Sequence, residues 1–328
     1  MRSTHPAAPR LAAGTDAAWR QQPERGSGLL LRWMAFVSLR LGRPFGRIIL
    51  RVIAGYYFLF APRARRFMRR YLRRALGREP RAGDRFQHIL SFATSIHDRV
   101  YLLAGRSELF EVTVHGEPQM RAVLARGRGA VLLGAHVGSF EIVRIVGSRR
   151  AGVNVTMAMY PDNARKLNAM LQAIAPPHPP EFIGVGQLDS MLRLRERLDQ
   201  GALIGMLADR RFDEDEASIP VTFLGATARF PLGPMRIAAA LRAPAVFICG
   251  LYQGGNRYHL IFEPLEDFSA IERSGRTAAI ESAVRRYVEL LERCCRSDPY
   301  NWYNFYDFWE EGERPSALHS APGSNRSA

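Results

Sequence analysis

An α/β domain, with a mostly parallel mixed sheet covered by helices and preceded by basic amphipathic helices, is the fold class this sequence predicts. Three observations carry it. From about Asp84 onward, segments of helical period alternate with short apolar runs bounded by glycine and proline. One run, "GAVLLGAH", is apolar almost throughout, as a strand covered on both faces must be. Before Asp84 the texture differs: arginine pairs alternate with large apolar residues.

Residues 1–27 are rich in Ala, Pro, Arg and Gln without a hydrophobic period, so a disordered tail is expected there, and likewise over 314–328. Residues 28–83 are expected to form basic helices that associate with a membrane. Their charge-free runs fall well short of the ~20 apolar residues needed to span a bilayer, so this block lies on a membrane rather than crossing it. Arg43, Arg47 and Arg51 recur every four residues and make one stripe of a helix, leaving Ile48, Ile49, Val52 and Ile53 on the other side. Pro44 suits that helix's first turn. Over 65–76, arginine pairs and apolar pairs alternate with a period of four, giving one cationic and one apolar face. Two readings stay open for this second helix. Its apolar side lies in the acyl boundary with its arginines at anionic head groups, or it packs on the protein's own core with a solvated charged face.

The α/β domain is expected over 84–313. A helix ("RFQHILSFATSIHDRVYLLAG") leads to a strand ("LFEVTVHG"), a short helix ("MRAVLARG"), the buried strand, a helix ("FEIVRIVGSRR") and a strand ("VNVTMAMY"). Helices follow in "NARKLNAMLQAI" and "LDSMLRLRERLDQG", then strands in "ALIGMLAD", "PAVFICGLYQ" and "RYHLIFEPL". A long final helix runs from about Arg273 to Arg296, ahead of an aromatic segment, "YNWYNFYDFW". Repeated strand-helix-strand units make the sheet largely parallel.

With 47% apolar residues in 328, the chain can bury a sizeable core. Its net charge of +15 is concentrated at one end: residues 1–82 hold 18 arginines against Asp16, Glu24 and Glu79. Such a charge favours anionic partners. The arginines come with aliphatic and aromatic neighbours on one helix face, which suits an anionic membrane surface and leaves nucleic acid outside the expected partners. Three cysteines with neither CxxC spacing nor a disulfide framework fit a reducing compartment, and no signal peptide is read in residues 1–27. No structural zinc site is legible, and no metal or redox cofactor is expected.

One stretch carries chemistry. In "LLGAHVGSFE", His136 stands where a strand ends and a helix begins, the edge of a parallel sheet where ligands bind. Gly138 permits a tight turn or close approach, Ser139 is placed to cap the helix from Phe140, and Glu141 lies in its first turn. A carboxylate on one imidazole nitrogen frees the other to take a proton from a hydroxyl. On spacing alone, a structural histidine with a nearby acid is the commoner case. Six other histidines fall in helical or strand patterns (His97, His115, His259), in a proline-rich loop (His178) or in the tails (His5, His319). Walker A, GxSxG and HExxH motifs are missing.

These residues resemble the HxxxxD/E block of the lysophospholipid acyltransferase superfamily, in the "GHFGNWE" form of the lipid A biosynthesis (lauroyl/myristoyl) acyltransferase family. The similarity extends through "YPDNARKLNAML" and "GMLADRRFDEDEASIPVTFLGATARFPLGPMRIAAALRAPAVFICGLY". It implies a glycerolipid-acyltransferase-like fold, His136 as general base and Glu141 as its orienting partner. It also implies substrate-binding roles for Gly138, Ser139, Asn163, Asp209, Arg210, Phe223 and Gly225. The donor is then an acyl carrier protein or acyl-CoA, the acceptor a membrane lipid, and the location the cytoplasmic face of the bacterial inner membrane, peripheral or monotopic. An acyl-CoA-dependent glycerolipid or ornithine-lipid acyltransferase and a non-catalytic membrane-surface protein are the alternatives. Val137, Ser139 and Phe140 replace the commoner Phe, Asn and Trp, Arg210 stands where Gln is usual, and "APPHPPEF" fills a region where many members carry an arginine-glycine motif. These departures point to a substrate other than the family's commonest.

Overall fold

A computed structural model describes residues 28–159, 181–186, 188–211 and 215–309. The expected tails, the expected helix in "NARKLNAMLQAI", Asn163 and His178 lie outside the described residues. Three helices come first: α1 (Gly28–Phe60), α2 (Pro62–Leu76) and α3 (Ala82–Leu103). Then follow β1 (Glu111–His115), α4 (Glu117–Leu124), β2 (Val131–Gly134), α5 (Phe140–Ala151), β3 (Val155–Met159) and β4 (Glu181–Gly184). The remainder comprises α6 (Leu188–Asp199), β5 (Leu203–Leu207), β6 (Ser218–Phe223), β7 (Ala226–Pro231), α7 (Gly233–Ala240), β8 (Pro244–Tyr252), β9 (Arg257–Asp267) and α8 (Arg276–Ser297).

Seven strands form one sheet in the order β1-β9-β8-β2-β5-β3-β4, while β6 and β7 make a separate hairpin. The run from β8 to β4 is parallel; β9 pairs antiparallel with β8 and carries β1 alongside it in parallel. The sheet is thus mostly parallel and mixed, as the strand-helix alternation predicts. Successive side chains of the central strands serve opposite layers. Val131, Leu133, Ala245 and Phe247 belong to the apolar cluster that includes α2, α7 and α8. Leu132, Val246 and Ile248 belong to the cluster that includes α4 and α5. Both faces being covered explains why "AVLLGA" shows no polar alternation. Strand β4, at the sheet edge behind "APPHPP", was not read from the sequence, and neither was the β6-β7 pairing.

The N-terminal helices settle the two readings left open above. In α2 Met68, Tyr71, Leu72 and Ala75 are buried, and the Tyr71 hydroxyl donates to the Pro299 carbonyl at 2.8 Å. Its arginines Arg63, Arg66, Arg69 and Arg73 are exposed. The α2 helix therefore packs on the protein's core, and the reading that puts its apolar side in lipid is corrected: that face is occupied.

In α1 the polarity is reversed. The helix breaks at Gly42, and Pro44 falls in the first turn after the break, as expected. Arg43 turns inward, donating from Nε and Nη2 to the two carboxylate oxygens of Asp98 at 2.7 and 2.6 Å. Asp98 is fully buried and also accepts from the Tyr258 hydroxyl at 2.9 Å. Arg47 donates to the Tyr252 hydroxyl at 3.0 Å and to the Gly255 carbonyl. Ile48, Ile49 and Val52 face outward. Among the described residues no single helix is long and apolar enough to cross a membrane; Phe36–Phe60 and α2 meet at a 97° bend.

Candidate active site

His136 lies two residues past the end of β2, and parallel pairing decides what it meets. Gly134 is in register with Leu207 of β5, so stepping two residues past each strand brings His136 opposite Asp209. The imidazole Nδ1 is 2.8 Å from Asp209 Oδ1, and the His136 backbone N–H donates to Oδ2 at 3.1 Å. A third donor, the Trp302 indole N–H, reaches Oδ2 at 3.0 Å. Asp209 and Trp302 are fully buried, while the His136 side chain keeps 34% of its surface exposed.

The electrostatics follow from this packing. Burial works to raise the Asp209 pKa, yet the charge and hydrogen bond of His136, the charge of Arg210 and the indole bond hold it well below the usual carboxylate range. Asp209 is thus ionised, and Nδ1 is the ring nitrogen that donates to it. Burial lowers the His136 pKa below its ordinary 6.5, with Arg210 and, more weakly, Arg99 pushing the same way and Asp209 opposing them. The imidazole is therefore neutral at pH 7, with Nε2 left as an acceptor.

Glu141 does not fill the role expected of it. In the first turn of α5 its carboxylate accepts from Arg144 Nε at 2.5 Å, one turn along the same helix. Residues i and i+3 stack on one helix face, which draws Glu141 to Arg144 instead of back to the imidazole. The carboxylate that meets the imidazole is Asp209, placed by strand pairing and distant in sequence; expected among the substrate-binding residues, it is fully buried.

The turn that aims His136 is built on bare backbone. Gly138 has φ of 58°, and a Cβ there would fall 1.9 Å from the Gly250 carbonyl oxygen of β8. The tight turn expected of it is there, and its close approach is to β8. Ser139 occupies the N-cap position of α5; its backbone N–H donates to the Gly250 carbonyl at 2.8 Å, and its buried side chain makes no capping bond. From the other side the segment after α8 clasps the turn. The Gly138 N–H donates to the Asn301 carbonyl at 2.9 Å and the Tyr303 N–H to the His136 carbonyl at 2.8 Å. Asn301 is fixed to the backbone of Tyr252 by two side-chain bonds, at 2.8 and 3.1 Å.

Phe223 is sealed, not substrate-facing: it packs edge-on against Trp302 at 5.2 Å and stacks with Trp309 at 5.9 Å. Leu224 and Gly225, with φ of 50° and 78°, form the two-residue turn between β6 and β7, and Gly225 is exposed at its tip. Arg210 is half-buried at the edge of the site, donating to the Tyr303 carbonyl at 2.8 Å and lying over the Tyr306 ring. Trp302 is the residue the sequence reading missed. Its signal was there, an indole in an aromatic cluster, but its partner is 93 residues away. Among the described residues no three His, Cys, Asp or Glu side chains converge as metal ligands would.

An α/β sheet covered on both faces thus presents a half-exposed imidazole, bonded to a buried carboxylate, at the carboxyl edge of its parallel strands, which is where ligands bind in such sheets. The profile of the bacterial lipid A biosynthesis acyltransferases matches residues 33–311, and the chain belongs to that family. It is accordingly an acyltransferase of lipid biosynthesis. No curated protein matches the chain.

Proposed function

We propose that the protein moves an acyl group from a carrier thioester to a hydroxyl of a membrane lipid, with His136 as general base and Asp209 as the residue that orients it. The observation that carries this reading is the 2.8 Å bond between His136 Nδ1 and an ionised, buried Asp209. With Nδ1–H held by the carboxylate, Nε2 takes the hydroxyl proton as the oxygen attacks the thioester carbonyl. The new C–O ester bond forms, the C–S bond breaks, and the imidazolium returns the proton to the departing thiolate. Asp209 stabilises the imidazolium in between. Glu141 acts at one remove, fixing Arg144.

The location proposed is the cytoplasmic face of the bacterial inner membrane. Ten large apolar side chains of α1, from Phe36 to Phe60, are exposed, against four on all other described elements. A patch so concentrated suits lipid better than water. An acyl carrier protein is the donor expected from the chain's positive charge, with acyl-CoA as the comparison.

The test is acyl transfer into membrane lipid, followed by mass spectrometry, with the protein in native membranes or vesicles. His136→Ala and Asp209→Asn should each lower kcat by roughly 100-fold to 10,000-fold, and Glu141→Gln by much less. Undiminished transfer by His136→Ala would sink the reading. Because the base must be neutral and its pKa is lowered in the free enzyme, kcat/KM should fall with acidification only below pH 6.5. An acid limb centred above that value contradicts the geometry.

A further inference from the structure

We propose that Arg99 and Arg210 form a phosphate-binding subsite beside His136, which grips a phosphate ester borne by one of the two substrates during transfer; the proposal rests on the acyl-transfer reading above.

Ser91, Ser95 and Arg99 recur every four residues on α3 and so share one stripe of that helix. The first two positions meet the segment that clasps the catalytic turn. The Tyr303 hydroxyl lies 2.5 Å from Ser95 Oγ and 3.3 Å from the Ser91 carbonyl, while the Tyr303 N–H holds the His136 carbonyl. Arg99 is the next turn of that stripe. It is half-buried and makes no hydrogen bond or ion pair with any described residue.

Arg210 reaches the same Tyr303 from the β5 side. Its Nη2 donates to the Tyr303 carbonyl, whereas its Nε is buried without a hydrogen-bond partner, 3.9 Å from Asp209. Withdrawing guanidinium donors from water without acceptors costs free energy, and two like charges around one site add to it. A phosphate removes both penalties, since its oxygens accept forked guanidinium bonds and its charge offsets theirs.

The charged groups that act on His136 are Asp209 and Arg210 from the end of β5 and Arg99 from α3, while the Glu141 and Arg144 pair of α5 is closed on itself and Tyr303 of the C-terminal segment meets His136 through its backbone N–H. Within this set Arg99 and Arg210 weaken the base, so a bound phosphate strengthens it. The base would reach full strength only when the phosphate is seated. Two sources carry that chemistry: the pantetheine phosphate of a thioester donor and a phosphorylated lipid headgroup.

The experiment is a proton NMR titration of the His136 ring in the full-length protein, with inorganic phosphate added at constant ionic strength. Saturating phosphate should raise the His136 pKa by about one pH unit in the wild-type chain, much less in Arg99→Gln, with partial recovery in Arg99→Lys. No rise in the wild type, or an undiminished rise in Arg99→Gln, overturns the subsite. Kinetics then separate the sources. A donor phosphate predicts that Arg99→Gln raises KM about 10-fold for acyl-phosphopantetheine and much less for acyl-pantetheine. An acceptor phosphate predicts the same contrast between phosphorylated and dephosphorylated acceptor lipids. An equal fall of kcat on every substrate with KM unchanged marks an oxyanion contact and also overturns it. Wild-type protein that transfers from no thioester, yet shows the phosphate-induced rise, defeats the acyl-transfer reading and not the subsite.

Discussion

The α1 and α2 helices are made of nearly the same materials, arginines and large apolar residues in helical register, and they are mounted in opposite senses. In α2 the apolar face is buried against Trp302 and α8, and the arginines stand in solvent. In α1 the arginines Arg43 and Arg47 are turned into the protein, and the apolar side chains stand outside. The contrast teaches that amphipathicity alone does not say which face meets the fold. What decides is whether the fold offers a buried acid, as Asp98 does to α1, or an apolar floor, as Trp302 and its neighbours do to α2.

The comparison breaks most visibly if the buried ion pair is removed. Arg43→Met leaves Asp98 buried with the Tyr258 hydroxyl as its one remaining side-chain hydrogen bond among the described residues, and should cost about 3 to 5 kcal/mol, read as a fall in the urea midpoint in detergent. Leu72→Ala on α2, which empties part of a packed core, should cost about 2 to 4 kcal/mol by the same measurement. Ile48→Ala on α1 sharpens the contrast: its effect on the urea midpoint should be close to nil, while partition into neutral vesicles weakens by roughly 1.5 kcal/mol, about tenfold. A clear loss of stability from Ile48→Ala would mean that its side chain packs on protein. The smallest effect belongs to Arg66→Ala on α2. Stability should move by less than about 0.5 kcal/mol, and binding to anionic vesicles by about 1 kcal/mol at low salt and less at high salt.

Much of the fold was legible because the sheet is covered on both faces. Continuous apolar runs such as "AVLLGA" and "AVFICG" can be little else when helical periods separate them. Strand β4 was hidden because Pro179 and Pro180 precede a run of only four residues. At the site, His136 was legible from its place at a strand end, but its partner was not. Sequence proximity favoured Glu141, five residues on; the observed partner depends on β5 lying next to β2, and strand order is a property of the whole sheet. The same limit hid Trp302. For the Arg43 stripe, the spacing was right and the direction undetermined, because Asp98 is 55 residues away.

The clasp formed by Asn301, Trp302 and Tyr303 has a consequence for the order of biosynthesis. The α1 helix, with its exposed apolar face, leaves the ribosome ahead of His136, and His136 well ahead of the clasp, while domains fold as their parts emerge. Until residues 301–303 arrive, the turn around His136 lacks two of its backbone bonds and Asp209 lacks its indole donor. The nascent chain thus presents the apolar face of α1 before the turn around His136 is complete, so the site closes late in synthesis.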